Sequence, residues 1–406
     1  MKFSWIRDIS AVGFALFFTT HAQQPASSPE HPRLTTWECT ISGGCTPHET
    51  SVVVDWDSHY IHEANGITPC LSLSGVDRTL CPNGTACARN CVIEPANYTN
   101  YGIVTSHDTI TLSKYTRGDG SPRKGEPRVY LLGPDGDYMS LQLLGRELSF
   151  DVDVSALPCS ENGNLYLSEM DMTGGRSEHN PGGARFGSGY CNAQCPVLNW
   201  VNGTLNENER GACCNEMDIF EGNAYATHYA AHPCVADECA SAGCIFNPYM
   251  AGSRNFWGPG MEVDTAKPLT IITQFVTDDN TTSGMLVQIR RMYIQDGKVI
   301  PNVPAARDDG SCLHADNFSS SVGLSPIAQA LARGMVMVLS LWSDPEHGMQ
   351  WLDGGDAGPC DYWDDAAETQ QPDPYLVFSN VRWGDIGSTY RHKIGFASSV
   401  SYKDEL

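Results

Sequence analysis

Three carboxylates are interleaved with apolar residues in the run Cys213-Cys214-Asn215-Glu216-Met217-Asp218-Ile219-Phe220-Glu221-Gly222-Asn223. Acids seldom alternate with core-type residues unless chemistry requires them there, although three solvated acids on an exposed strand face are the plainer alternative. At strand spacing Glu216 and Asp218 share a face, whereas Glu221, five residues on from Glu216, points the other way. One extra residue between Asp218 and Glu221, a β-bulge, restores the parity. Four effective steps of ~3.3 Å then put the two glutamate Cα atoms roughly 13 Å apart, and inward-leaning side chains close the carboxyls to about 5 Å. That separation suits double displacement at an acetal carbon: Glu216 attacks, Glu221 shuttles the proton, and Asp218 orients Glu216 and shares a proton with it.

Such a strand needs a sheet, and β-prone runs recur between Gly, Pro and Asn punctuation: 50–56, 109–112, 128–132, 139–144, 148–154, 164–170, 216–220, 269–275, 284–290, 335–340 and 375–381. In 148–154 the apolar residues Leu148, Phe150, Val152 and Val154 alternate with Ser149, Asp151 and Asp153, predicting one core face and one wet face. Met335–Leu339 is apolar throughout, as expected of a strand buried on both sides. Helical signals are few; the best spans Pro326 to Arg333, with Ser325 as N-cap and Gly334 as stop. The reading is all-β, a sandwich with long loops.

Lys2 and Arg7 precede an apolar run from Ile9 to Phe18. Residues 1–22 are expected to be a signal peptide, too short for a membrane span, with a soluble mature chain from near Gln23. Residues 23–389 show no Pro/Ser/Thr-rich spacer and no repeat, which predicts one catalytic unit of about 370 residues. Sixteen cysteines in an exported chain read as eight disulfides, with zinc ligation at Cys191, Cys195, Cys213 and Cys214 as the weaker alternative. Asn83, Asn97, Asn202, Asn280 and Asn317 stand in glycosylation sequons. The net charge of −23 argues against nucleic acid and anionic membranes and for a neutral or cationic partner. The tail 390–406 ends in Lys403-Asp404-Glu405-Leu406, the form of an endoplasmic-reticulum retrieval address. Extracellular release and retention in that lumen are therefore rival expectations.

From about Leu34 through Thr389 the chain resembles glycoside hydrolase family seven, the fungal-type cellulases, and is most similar to the endoglucanase branch. The likeness is carried by 50–55, Pro158-Cys159, Glu161-Asn162-Gly163, Gly189 to Pro196, the catalytic run, His232-Pro233-Cys234, Ser340-Leu341-Trp342, Trp351-Leu352-Asp353 and 378–389. It implies a β-jelly-roll sandwich of the concanavalin A type, a β-glucan substrate in a long cleft, a retaining mechanism on Glu216, Asp218 and Glu221, a monomer, and no cofactor or metal. It also implies sugar contacts at Arg128, Tyr166, Gln194, His232, Trp342 and Trp351. Indole and phenol rings suit the apolar faces of glucose, and Arg, Gln and His suit its hydroxyls. The disulfides implied are Cys39–Cys45, Cys70–Cys91, Cys81–Cys87, Cys159–Cys360, Cys191–Cys214, Cys195–Cys213, Cys234–Cys239 and Cys244–Cys312. Phe220, Asn192 and Tyr60 stand where the family commonly has Trp, Asp and Trp.

Sixteen residues lie between Pro196 and Cys213, and the stretches from Cys234 to Cys244 and from Trp351 to Cys360 are brief. By resemblance the cleft is open, so internal β-1,4 bonds of cellulose and soluble β-glucans are the expected target. Two other functions stand beside this one. A mixed-linkage or β-1,3-glucanase of a related sandwich family shares Glu-x-Asp-x-x-Glu, and a glucan-binding lectin would need no catalytic pair.

Overall fold

The computed structural model describes residues 25–72, 74–116, 123–303, 323–344, 348–361 and 373–390. The expected leader, Cys312, Asn317 and the tail beyond Tyr390 lie outside them.

Two large sheets face each other. The outer sheet holds β1 (Thr36–Thr40), β2 (Gly44–His48), β4 (Ile103–Ser106), β5 (Thr109–Ser113), β8 (Arg146–Asp153), β13 (Leu269–Thr277), β14 (Leu286–Gln295), β15 (Lys298–Pro301) and β17 (Tyr375–Asp385). Its order is β2-β1-β17-β8-β13-β14-β15, with β5 against β17 and β4 against β5. The inner sheet holds β3 (Ser51–Val54), β6 (Arg128–Leu132), β7 (Ser140–Leu141), β9 (Asn162–Ser168), β10 (Glu216–Gly222), β11 (Thr227–His232), β12 (Cys244–Phe246) and β16 (Met335–Trp342). It runs β12-β11-β10-β9-β16-β6-β3, with β7 on β16. Pairing in both sheets is antiparallel except between β1 and β17.

Strand alternation builds the core between the sheets. Leu148, Phe150 and Val152 of β8 and Ile271 and Phe275 of β13 meet Leu165 and Leu167 of β9, Met217 of β10 and Met335, Met337 and Leu339 of β16. Removing such side chains from water is the main force holding the layers together. Strand β16 is covered on both faces, as its sequence predicts: Val336 and Val338 point away from the main core into a second cluster with Val53, Tyr130, Tyr138, Tyr166 and Tyr190. At Gly163 a Cβ would sit 2.6 Å from a methyl of Leu376 in the opposite sheet, so glycine there permits the close approach.

Three local expectations are corrected. The helix is Ser325–Arg333, so Ser325 is its first residue and not its cap; Leu324 takes that position without a side-chain cap bond. Leu324 is buried in the core, and the Ser325 hydroxyl accepts from Gln329 Nε2 at 3.2 Å. Burial of an apolar side chain has outweighed capping. The strand read over 139–144 is two residues long, because Leu143 donates its N–H to Leu331 of the helix and leaves the ladder. Ser149, expected to be wet, is buried, whereas Asp151 and Asp153 are half-exposed.

Candidate active site

The ladder lays side chains of the inner sheet in rows across its outward face. One row runs Arg128, Ser340, Asn164, Glu221, His228; the next Tyr130, Val338, Tyr166, Asp218, Ala230; a third Val336, Ser168, Glu216, His232. The bulge lies where the carboxylate spacing requires it. Tyr166 faces Asp218 while Leu165 faces Phe220, so Ile219 has no partner on β9, and the register to β11 also shifts between Asp218 and Glu221. Six residues, Glu216 to Glu221, thus oppose five, Asn164 to Ser168. Ile219 and Phe220, though adjacent, both enter the core, which returns Glu221 to the face of Glu216 and Asp218.

Two disulfides organise the Glu216 end. Cys191–Cys214 and Cys195–Cys213 clamp the segment 191–195 onto the residues entering β10. The backbone N–H of Ala193, midway along that segment, donates to Glu216 Oε2 at 3.0 Å. Among the described residues Glu216 Oε1 receives no hydrogen bond. Asp218 Oδ2 lies 2.8 Å from His232 Nε2, and His232 Nδ1 donates to the Ala240 carbonyl at 3.1 Å. Gly243, at φ +66°, backs that imidazole; a Cβ there would come within 2.3 Å of His232 Cε1. Burial and the charge of Asp218 push Glu216 up to about 8, and burial and the charge of Glu221 raise Asp218. Burial opposes charge on His232, but the charge and hydrogen bond of Asp218 outweigh it and lift the ring to about 9. One proton is thereby held on the Glu216–Asp218 pair beside a cationic His232.

The Glu221 end is built from side chains. Oε1 accepts from Asn162 at 2.8 Å and Asn164 at 3.1 Å, and Oε2 lies 2.5 Å from His228 Nε2. Ser340 Oγ donates to Asn164 Oδ1 at 2.9 Å and so turns that amide's NH2 toward Glu221. His228 Nδ1 is buried without a partner among the described residues, and Nε2 faces Glu221. Burial works to raise Glu221, yet the charge and hydrogen bond of His228 and the bond from Asn162 prevail and hold it below the ordinary carboxylate range.

Aromatic rings extend the site both ways. Trp351, 42% exposed, has its ring centroid 5.4 Å from His228 and stacks near Trp342 at 6.2 Å and 26°. Across the sheet Arg128 lies over Tyr190 at 3.8 Å and donates through Nε and Nη2 to Asp55 Oδ2, at 3.2 and 2.9 Å, while the Tyr166 and Tyr190 hydroxyls are 3.0 Å apart. Gln194 is exposed beside Ala193. Every expected catalytic and sugar-contact residue therefore lies on or beside this face. Phe220 does not: it packs in the core against Phe150, Phe378 and Trp257, so its departure from Trp leaves the cleft surface unchanged. Asn192 Nδ2 donates to the Tyr190 hydroxyl at 3.0 Å, and Tyr60, 47% exposed, stacks on His62.

His228, Asn162, Asn164, Tyr190 and Asp55 were not among the expected site residues. A signal existed for some: Asn162, Asn164, Tyr166 and Ser168 alternate with Gly163, Leu165 and Leu167, as His228, Ala230 and His232 do with Tyr229 and Ala231. Seven disulfides join Cys39–Cys45, Cys70–Cys91, Cys81–Cys87, Cys159–Cys360, Cys191–Cys214, Cys195–Cys213 and Cys234–Cys239; the expected partner of Cys244 lies outside the described residues. Cys191, Cys195, Cys213 and Cys214 are paired in this way rather than free to ligate zinc. Asn83, Asn97, Asn202 and Asn280 are exposed.

Residues 24–390 match the family model described as Glycosyl hydrolase family 7. The chain is 51% identical over 375 residues to endoglucanase EG-1 of Trichoderma longibrachiatum, covering 91% of this chain and 80% of that one. It is 44% identical over 407 residues to endo-β-1,4-glucanase celB of Aspergillus oryzae, covering 93% and 98%. The native endocellulase EGI of Humicola insolens superposes with a TM-score of 0.83 at 38% identity, over 90% of this chain and all of that one.

Proposed function

The chain belongs to glycosyl hydrolase family 7, and from that membership and the geometry of β10 we infer an endo-acting retaining hydrolase of β-1,4-glucosidic bonds in cellulose and soluble β-glucans. The fold is the β-jelly-roll sandwich of that family. The observation that carries the mechanism is the bulge at Ile219, which sets Glu216 and Glu221 on one face, four β9 residues apart, beside the exposed ring of Trp351 and the half-buried ring of Trp342. In this reading Glu216 Oε1, free of donors among the described residues, attacks the anomeric carbon, and Glu221 protonates the departing oxygen. Water, deprotonated by Glu221, then releases the glycosyl enzyme. Asp218, beside the cationic His232, takes up the proton that Glu216 must lose.

The charges among the protein groups themselves stand the other way round, with Glu216 held up and Glu221 held down. A glycosidic oxygen seated against Glu221 displaces water and raises its pKa, which draws a proton to it. The resting charges also favour a second reading in which Glu221 attacks and Glu216 is the acid. A 2-deoxy-2-fluoro-cellobioside separates the two, since peptide mapping of the trapped enzyme is expected to find the sugar on Glu216. A label on Glu221 exchanges the roles, and products of inverted anomeric configuration end both.

Trp351 is exposed, and 200–205 and 234–239 fold as tight two-stranded pairs, which supports an open cleft. Carboxymethylcellulose viscosity is expected to fall quickly relative to new reducing ends. Residues 23–389 then act as one catalytic unit working as a monomer. Seven disulfides among the described residues call for an oxidising folding compartment, in keeping with export. Fractionating medium from microsomes, with and without Leu406, separates extracellular release from retention by a receptor.

A further inference from the structure

Arg291 of β14 is 3% exposed and lies between the sheets, where a buried cation costs several kcal/mol unless neighbours compensate it. No carboxylate among the described residues pairs with it. Its Nε donates to Thr273 Oγ1 at 3.1 Å, its guanidinium lies 4.2 Å over the ring of Tyr229, and its Nη2 donates to the carbonyl of Ile219. Ile219 is the extra residue of the catalytic bulge, without a cross-strand partner on either side. Tyr229 sits opposite the bulge, between the residues that pair with Asp218 and Glu221. A bulge leaves a backbone group outside the ladder, and in a dry core that group needs a donor. A methionine would fill the same space without the cost of charge, so packing alone gives no reason for arginine here.

We propose that Arg291 is a positioning residue for the acid/base: by holding the Ile219 carbonyl from inside the core, it fixes the face and height at which Glu221 meets the glycosidic oxygen. It touches neither substrate nor reacting atoms, and the proposal rests on the assignment of Glu221 as acid. The active strand is thus held from behind by the opposite sheet. When the carbonyl is released, the bulge can slide along β10, and Glu221 then spends less of its time within reach of the leaving oxygen.

The test compares kcat/KM, which reports the first bond cleavage, on phenyl and 2,4-dinitrophenyl cellobiosides, per active site titrated with the fluorinated inhibitor. The dinitrophenolate leaves without a proton and phenolate does not. Glu221→Gln is expected to lose far more on the phenyl substrate; a loss equal on both sinks the acid assignment and this proposal together. Arg291→Lys and Arg291→Met are expected to lose at least about tenfold on the phenyl substrate and less than about threefold on the dinitrophenyl one. Equal losses on both, with Glu221→Gln behaving as an acid variant, overturn the role of Arg291 and leave the assignment of Glu221 standing. Should neither Arg291 variant fold, Thr273→Val, which removes the hydroxyl aiming Nε, decides: the same bias in smaller measure supports the proposal, and a wild-type ratio overturns it.

Discussion

The two ends of β10 are held by different means. At Glu216 two disulfides press a neighbouring segment against the strand, and one backbone N–H reaches the carboxylate. At Glu221 the holders are two asparagines, a histidine and, behind the strand, Arg291. The difference extends to energy. Glu216 is buried with one donor beside a second acid, so its anion is unfavourable, whereas the Glu221 anion has three donors. In the proposed roles, the group that attacks is left under-satisfied and the one that gives and regains a proton is surrounded by donors.

The largest expected effect separates the ends by chemistry. Glu216→Gln is expected to lower turnover by roughly 10⁴-fold or more on every substrate while glucan binding persists. Glu221→Gln is expected to cost about 10²- to 10⁴-fold on natural glucans. Equal, total loss in both on activated cellobiosides would erase the contrast. Next comes the staple: replacing Cys191 and Cys214 together by alanine, which opens a cross-link of 23-residue separation, is expected to lower unfolding stability by about 2–4 kcal/mol in urea denaturation. It is also expected to reduce kcat per folded molecule, because the Ala193 N–H loses its register; unchanged kcat would show that the Cys195–Cys213 bridge suffices.

The smallest effect sharpens the energetic contrast. Burial and Asp218 lift Glu216 from 4.5 to about 8, so its contribution to stability is present below about pH 4.5 and is lost as pH rises toward 8. Glu216→Gln is expected to raise the melting temperature at pH 7, by about 1–2 kcal/mol in stability, with the gain vanishing near pH 4. Glu221 is held below 4.5, so its contribution is present above that value and lost in acid. Glu221→Gln is accordingly expected to destabilise at pH 7. Melting temperatures that shift in the same direction for both variants would show that the two ends are not energetically distinct.

How much was legible follows from the range of each signal. Glu216, Asp218 and Glu221 were readable together because strand periodicity is local, and the odd offset between the glutamates demanded the bulge that the ladder contains. Strands β6 and β16 were readable without alternation, because a β-prone apolar run between turn residues is an equally local signal. The helix start at Ser325 was misplaced because capping is a local preference and burial of Leu324 a tertiary one. Asn162 is 59 residues from Glu221, and Arg291 is 72 from Ile219; nothing local marks either as a neighbour.

By itself the sequence determined the all-β character, the three acids on one strand with the parity break between them, and, through its extended likeness, the family. The tertiary structure decided which groups solvate each acid. Cross-strand register and sheet-to-sheet packing choose those partners, and both act between segments that only folding brings together. Composition therefore named the chemistry, while the charge each glutamate carries was settled by neighbours that the fold supplies.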